Sequence, residues 1–339
     1  MKLRVLPCLL LCLLLLSGCT AQAEPVEATF FAMDTIMTLR VYGGDQALLD
    51  RLQGEVLRLE GLWSVTDGDS EIFAANHALG SPVTVSEDTA ALIFQALELG
   101  QDTGGALALT IRPVVQAWGF TTGEYQIPSQ EELDGLLPLV DDSRVELDGT
   151  SLTLPDGAEL DLGAVAKGYT GQHLARLIQE AGVTSALLDL GGNIQTVGCR
   201  PDGDPWRVAV RDPEGEGYAA VLEVEDEAVV TSGGYQRYFE ENGVRYWHIL
   251  DPATGQPARS GLSSVTIIGS DGGLCDGLST ALFVLGLEGA ADYWRQWGGF
   301  EAVLITDEGQ VWITEGLEDR FTLTGTYAEG TVEVLRQGD

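Results

Sequence analysis

Two glycine-rich turns that each begin with an aspartate are the clearest candidates for chemistry in this chain. The first runs Asp161-Leu-Gly-Ala-Val-Ala-Lys-Gly168, and the second runs Asp189-Leu-Gly-Gly-Asn193. Glycines let backbone N–H groups approach a ligand closely, and the start of the helical pattern between the turns favours anions. Alternatively, Asp161 simply caps a helix and Lys167 is a solvated surface lysine. Together, with Lys167 adding positive charge, the two turns indicate a site for a phosphorylated ligand.

A second candidate lies at the start of the last long helical pattern, where Asp276 and Thr280 are four residues apart. This spacing places both side chains on one face of a helix. Carboxylate and hydroxyl oxygens are suitable ligands for Mg²⁺, which usually also contacts water and phosphate oxygens. Alternatively, Asp276 caps the helix and Thr280 packs against its neighbours. The pair is compatible with either interpretation.

One of the three histidines is well placed to meet a ligand. His248 ends a predicted strand and precedes a tight Asp-Pro turn, whereas His77 and His173 are predicted to lie on the surface. An ordinary histidine pKa near 6.5 suits a proton acceptor, although a purely structural role is also open. The segment Thr231-Ser-Gly-Gly-Tyr-Gln-Arg237 either brings Arg237 to a phosphate or closes a hairpin.

The composition limits the classes of protein to consider. With 339 residues and 45% hydrophobic side chains, the chain can bury a sizeable core in one large domain or two lobes. Its net charge of −34 argues against nucleic-acid binding and against electrostatic docking on anionic lipids. We expect Cys199 and Cys275 to be buried free thiols, although an exported chain can also form disulfides.

The N-terminus is typical of an export signal. Lys2 and Arg4 precede an apolar run from Val5 to Leu16, which is shorter than the ~20 residues of a spanning helix. Leu16-Ser-Gly-Cys19 resembles a bacterial lipobox. We therefore expect a signal peptide over residues 1–18, a lipidated Cys19, and a tether over residues 19–28. An ordinary cleaved signal is the alternative.

The periodicity of the apolar residues predicts an α+β fold, because strand pairs with short turns are interrupted by long helices. A strand is predicted over Phe30–Tyr42. Helices are predicted at residues 47–62, 87–103, 168–181 and 276–285, and hairpins at residues 145–154 and 302–314.

Taken together, these motifs resemble those of the ApbE-type FAD:protein FMN transferases. The resemblance extends from Phe30 to Thr324, and the order and spacing of the motifs both fit. The matching segments are Met-Asp-Thr at 33–35, Ser64 to Asn76, Pro113 to Phe120, the two aspartate–glycine turns, Thr-Ser-Gly-Gly-Tyr at 231–235, His-Ile-Leu-Asp-Pro-Ala-Thr-Gly-Gln-Pro at 248–257, and Cys-Asp-Gly-Leu-Ser-Thr at 275–280.

The resemblance implies a role for each matching residue. The residues lining the FAD site would be Met33, Ala106, Leu107, Ala108, Asp161, Lys167 and His248. Mg²⁺ would be held by the backbone carbonyl of Ala164 and the side chains of Asp276 and Thr280. Three positions depart from the usual pattern of the family, namely Thr66, Ala108 and Arg112.

The resemblance also implies a fold and an activity. The domain would cover residues 29–325, with a T-fold-like core, an FAD cleft between lobes, and a tail at 326–339. The activity would be Mg²⁺-dependent transfer of FMN from FAD to a threonine or serine hydroxyl of an exported or membrane flavoprotein, with release of AMP. For the base that takes the proton of the acceptor hydroxyl, His248 is the first candidate because its ordinary pKa is near 6.5, and an aspartate near the metal is the alternative. The alternatives are an FAD pyrophosphatase and a non-catalytic FAD-binding lipoprotein.

Overall fold

The computed structural model describes residues 24–338, so Cys19 and the predicted signal peptide lie outside the described part. Seven α-helices occur within it. They are α1 Gln46–Trp63, α2 Glu71–Asn76, α3 Glu87–Asp102, α4 Arg112–Ala117, α5 Gln130–Leu136, α6 Ala166–Glu180 and α7 Gly272–Trp297. The strands are β1 Val26–Ala32, β2 Thr35–Val41, β3 Val83–Thr84, β4 Glu146–Asp148, β5 Ser151–Thr153, β6 Ala186–Leu190, β7 Ile194–Val197, β8 Trp206–Arg211, β9 Tyr218–Val224, β10 Ala228–Gly233, β11 Tyr238–Glu241, β12 Val244–Trp247, β13 Leu262–Gly269, β14 Glu301–Thr306, β15 Val311–Thr314, β16 Phe321–Leu323 and β17 Val332–Leu335.

A nine-stranded sheet forms the centre of the molecule. Its strand order is β1-β2-β6-β7-β10-β13-β14-β15-β17, and every neighbouring pair is antiparallel except β15 with β17. Smaller sheets are formed by β16-β9-β8, by β3-β5-β4 and by the β11-β12 hairpin. The predicted α+β class, with antiparallel sheets and packed helices, is confirmed.

The single strand predicted over Phe30–Tyr42 is wrong, because the chain reverses within it. Ala32 pairs with Thr35, so β1 and β2 form a hairpin with Met33 and Asp34 as its two-residue turn. Both turn residues have positive φ, at 48° and 60°. A left-handed backbone costs a non-glycine residue roughly 1–2 kcal/mol. The alternation of side chains continues through the turn, which is why the sequence pattern concealed it.

Helix α1 follows the sequence prediction closely. Its N-terminus is capped by Asp45, whose carboxylate accepts the Leu48 N–H at 2.9 Å. The apolar side chains Leu49, Leu52 and Val56 recur at helical spacing and are fully buried. They pack with strands β1, β2 and β6 in one core cluster. This packing fixes the end of α1 beside the β1–β2 turn.

Helix α7 is longer than the predicted segment 276–285. It begins at Gly272, and its cap is Asp271, whose carboxylate accepts the Leu274 N–H at 2.9 Å. Gly286 interrupts it with a φ of +74°, and a Cβ there would lie 2.8 Å from the Ser260 carbonyl oxygen. Asp276 therefore lies in the second turn of α7 and does not cap that helix.

Two further boundaries differ from the sequence predictions. Residues Val26 to Ala28 of the predicted tether belong to β1. The predicted tail at 326–339 contributes β17, which pairs in parallel with β15 at the far edge of the large sheet. Glu159, just before Asp161, makes a single parallel bridge to Ile111.

Candidate active site

Helices α6 and α7 touch through their backbones at a pair of glycines. A Cβ on Gly168 would lie 2.0 Å from the Gly272 carbonyl oxygen, and a Cβ on Gly272 would lie 2.5 Å from the Gly168 carbonyl oxygen. Any larger side chain would force the helices apart. This contact places the first turn of α6, which carries Lys167, directly against Asp276.

Asp276 caps α6 from the neighbouring helix. Its Oδ2 accepts the Gly168 N–H at 2.8 Å, and the residue is only 5% exposed. The cap residue of α6 itself, Val165, provides no side-chain hydrogen bond. Burial raises the pKa of Asp276, while the positive charge of Lys167 and the backbone N–H groups at the helix start oppose that rise. The carboxylate is thus held at a helix N-terminus, where negative charge is favoured.

Lys167, in the first turn of α6, is near enough to Asp276 and His248 for its charge to act on both. Its positive charge lowers the pKa of both residues. Desolvation is the larger effect on the imidazole, and with the charges of Arg237 and Lys167 it lowers the pKa of His248 to about 4, although the residue keeps a partly accessible surface. The chain contains two lysines, and Lys167 is the one within residues 24–338. The structure therefore brings three predicted site residues together.

Arg237 fixes the orientation of His248. The Arg237 carbonyl accepts the His248 backbone N–H at 3.1 Å and lies 3.2 Å from His248 Nδ1. Because a carbonyl only accepts, Nδ1 carries the proton and Nε2 is the unprotonated nitrogen. The Arg237 guanidinium donates to the Phe120 carbonyl, and the Phe120 ring meets His248 edge-on. Arg237 therefore acts through its backbone, a role that the sequence did not indicate.

The remaining predicted magnesium ligands lie on the two elements that Asp276 joins, with Thr280 on α7 and Ala164 just before α6. Thr280 follows one turn later on α7, with its hydroxyl 3.3 Å from the Ser232 hydroxyl. The Gly168 N–H donates to Asp276, and within residues 24–338 no hydrogen bond is made to the Ala164 carbonyl. No cluster of three or more Asp, Glu, His or Cys side chains occurs in the same range. One carboxylate, one free carbonyl and one hydroxyl fit an ion that takes its remaining ligands from phosphate and water.

Two buried amide side chains, Asn193 and Gln195, lie near Asp276, and both residues are at least 94% buried. Asn193 is among the groups that lower the pKa of Asp276. Gln195 Nε2 donates to the Thr196 carbonyl at 3.1 Å, whereas Gln195 Oε1 has no hydrogen-bond partner within the described residues. Buried polar groups without partners are rare in folded proteins, and they mark places where a ligand or water is expected. Asn193 belongs to a predicted motif, whereas Gln195 was missed.

The predicted cofactor segment Ala106–Ala108 is held near Asp161 by the backbone. The Asp161 N–H donates to the Leu109 carbonyl at 2.8 Å. The Asp142 carboxylate accepts the N–H groups of Leu109 and Thr110 at 2.8 and 2.9 Å. Asp161 uses its own carboxylate to accept the Gly163 N–H at 2.8 Å, which shapes the first glycine turn. Asp142 has a clear structural role that the sequence did not reveal.

Met33 approaches α6 from the β1–β2 turn. Its sulfur lies 3.9 Å from the Thr170 hydroxyl. Of the departures from the family pattern, Arg112 is buried, pairs with Glu159, and donates to the Val65 carbonyl at 3.0 Å. Arg112 therefore ties the turn that contains Thr66 to the segment preceding Asp161.

The other histidines and cysteines lie outside this group of residues. His77 is exposed, as predicted, but His173 is half-buried with Nε2 2.9 Å from a Glu55 carboxylate oxygen. Cys199 and Cys275 are both free, as expected, but Cys199 is only half-buried whereas Cys275 is buried. Burial raises the pKa of Cys275, so its thiol is unreactive.

Comparisons with known proteins identify relatives of this chain. A family model described as "ApbE family" matches residues 33–304. An FAD:protein FMN transferase of Treponema pallidum is 34% identical over 328 residues, which cover 89% of this chain and 90% of the relative. One from Vibrio cholerae is 35% identical and covers 81% and 86% of the two chains.

Solved structures give the same result. The ApbE protein of Thermotoga maritima superposes with a TM-score of 0.79 at 30% identity, covering 85% of this chain and 96% of that one. The flavin transferase ApbE of Vibrio cholerae gives a TM-score of 0.80 at 27% identity, covering 88% and 99%. The chain therefore belongs to the ApbE family, in which its relatives from Treponema pallidum and Vibrio cholerae are FAD:protein FMN transferases.

Proposed function

We propose that this protein transfers FMN from FAD to a threonine or serine hydroxyl of an exported or membrane flavoprotein, releasing AMP. The observation that carries the proposal is the grouping of His248, Lys167 and Asp276 around the start of α6. A neutral imidazole, a cation and a carboxylate at a helix N-terminus together suit a diphosphate substrate.

In this reaction the acceptor oxygen attacks the phosphorus on the FMN side of the diphosphate. A new P–O bond forms, and the P–O bond to the AMP phosphate breaks with its electron pair leaving on AMP. The proton of the acceptor hydroxyl passes to His248 Nε2, because Nδ1 is occupied by the Arg237 carbonyl. The bound diphosphate adds negative charge, which raises the pKa of the imidazole from its low value toward the ordinary range.

Lys167 offsets phosphate charge, and Met33, the segment Ala106–Ala108 and Asp161 line the FAD site. Asp276, Thr280 and the Ala164 carbonyl would hold Mg²⁺, which when bound neutralises phosphate charge and stabilises the leaving AMP. The unused Ala164 carbonyl and the helix-held carboxylate support this assignment. We further propose that lipidation of Cys19 anchors the protein on the extracytoplasmic side of the cell membrane.

Mass spectrometry tests the proposal after incubation with FAD, Mg²⁺ and an exported flavin-binding domain as the acceptor. The expected product is the acceptor with one covalent FMN on a threonine or serine, together with one equivalent of AMP. Free FMN and AMP would indicate a pyrophosphatase. Intact FAD with no modified acceptor would indicate a flavin-binding protein without catalytic activity. Either result would overturn the proposal.

A further inference from the structure

The turn Met33–Asp34 requires support from its surroundings. Both residues have left-handed backbones, at φ of 48° and 60°, although neither is glycine. Two-residue hairpin turns of this shape normally carry Asn-Gly or Asp-Gly, because glycine adopts positive φ without a steric penalty. The chain therefore keeps an unfavourable turn at the position where Met33 approaches α6.

Glu60 supplies part of that support. Its Oε1 accepts the Met33 backbone N–H at 2.7 Å, across 27 residues of chain. The carbonyl of the same residue accepts the Ser64 N–H at 3.0 Å, where α1 ends. Hydrogen bonds to a carboxylate are stronger than those between neutral groups. Glu60 therefore connects the end of α1 to the strained turn.

The other side of the turn is bounded by the second glycine turn. A Cβ on Gly191, whose φ is +72°, would lie 2.2 Å from the Thr35 hydroxyl oxygen. The Met33 sulfur lies 3.9 Å from the Thr170 hydroxyl on the buried face of α6. The turn is thus held between α1, α6 and residues 189–193, which also position the start of α6.

We propose that Glu60 is a positioning residue that sets the affinity for FAD by holding Met33 in its left-handed conformation. The inference rests on the proposed function, in which Met33 lines the FAD site. Met33 has no proton to transfer and no charge to offer the phosphates. Loss of the Glu60 contact should therefore weaken FAD binding and leave the turnover of bound FAD nearly unchanged.

Titration of FAD into purified variants, followed by flavin fluorescence, measures this effect. Glu60→Ala should raise the dissociation constant for FAD at least about tenfold, because it removes a charge-assisted hydrogen bond. Glu60→Gln keeps an oxygen acceptor and should raise it only about threefold. Asp50→Ala is the matched control, since Asp50 is an exposed carboxylate on the same helix, and it should bind FAD as the wild type does.

A rescue experiment separates positioning from a general role in folding. Adding Asp34→Gly to Glu60→Ala removes steric strain from the turn, and it should recover most of the lost FAD affinity at unchanged turnover with saturating FAD. Unchanged affinity in Glu60→Ala, or no recovery in the double variant, would overturn the inference. Failure of the wild-type protein to bind FAD at all would instead overturn the proposed function.

Discussion

The contact between α6 and α7 makes a quantitative prediction for Gly168→Ala. The added methyl group would lie 2.0 Å from the Gly272 carbonyl oxygen and 2.6 Å from Asp276 Cβ. The first distance is roughly 1.4 Å short of an ordinary contact. Both neighbours belong to the same stretch of α7, so relief requires the two helices to separate.

Three contributions set the expected size of the effect. Overpacking of this kind costs about 1–3 kcal/mol. Separation of the helices also breaks the 2.8 Å hydrogen bond from the Gly168 N–H to the buried Asp276 carboxylate. Loss of that bond costs about 1.5–3 kcal/mol more. Alanine recovers about 1 kcal/mol through its higher helix propensity. We expect Gly168→Ala to lower the free energy of unfolding by roughly 1.5–5 kcal/mol.

Urea unfolding followed by circular dichroism measures this change, and FAD titration measures its effect on the site. Gly54→Ala is the matched control, because Gly54 lies in α1 with nothing within 4 Å of an added Cβ. That variant should be more stable by about 0.5–1 kcal/mol and should bind FAD normally. The reasoning is refuted if Gly168→Ala is as stable as the wild type and binds FAD with the same affinity.

Four further predictions concern the proposed chemistry. His248→Asn should lower the rate of FMN transfer at least about 100-fold with little change in FAD affinity, and an unchanged rate excludes His248 as the base. Burial lowers the pKa of His248 from 6.5 to about 4, so the unfolded chain binds a proton at this residue more readily than the folded protein does. The contribution of His248 to the stability of the folded protein is therefore fully present above pH 6.5 and is lost as the pH falls toward 4. The loss is at most about 3 kcal/mol and is reduced by the partial exposure of the residue. Between pH 7.5 and 4.5, the free energy of unfolding measured in urea should therefore change less in His248→Asn than in the wild type. Equal changes in the two proteins contradict the burial argument. Asp276→Asn should abolish Mg²⁺-dependent transfer while circular dichroism remains native, and full activity at saturating Mg²⁺ counts against the metal role. Cys19→Ser should move the protein from the membrane to the soluble fraction after cell fractionation, and persistent membrane association argues against lipid anchoring.

The sequence predicted the long amphipathic elements well, because their apolar residues recur at a regular spacing. Helix α1 and the closing hairpin β14–β15 lie within about two residues of the predicted bounds. The prediction failed where a local pattern has two readings. The alternation of apolar and polar side chains through residues 30–42 continues across the Met33–Asp34 turn. The polar residue that caps α7 is Asp271 and not Asp276.

The contacts that build the site could not be predicted from the sequence, for a different reason. The Gly168–Gly272 contact and the cap of α6 by Asp276 join residues more than 100 positions apart. Glu60 and Asp142 are single acidic residues among 52 in the chain, and nothing in their local sequence marks them as acceptors of backbone N–H groups. The motifs predicted the residues of the candidate site, whereas the supporting residues Glu60 and Asp142 were found only in the structure.

The single lysine within residues 24–338 has a practical consequence. An amine-selective reagent applied to the folded chain has one side chain to modify in that range, and the charge of this side chain acts on both His248 and Asp276. The extent of labelling at Lys167 would then report directly on whether the site is occupied. Screening of ligands by protection from acylation becomes possible without any engineered probe, and labels at the N-terminus can be distinguished by peptide mapping.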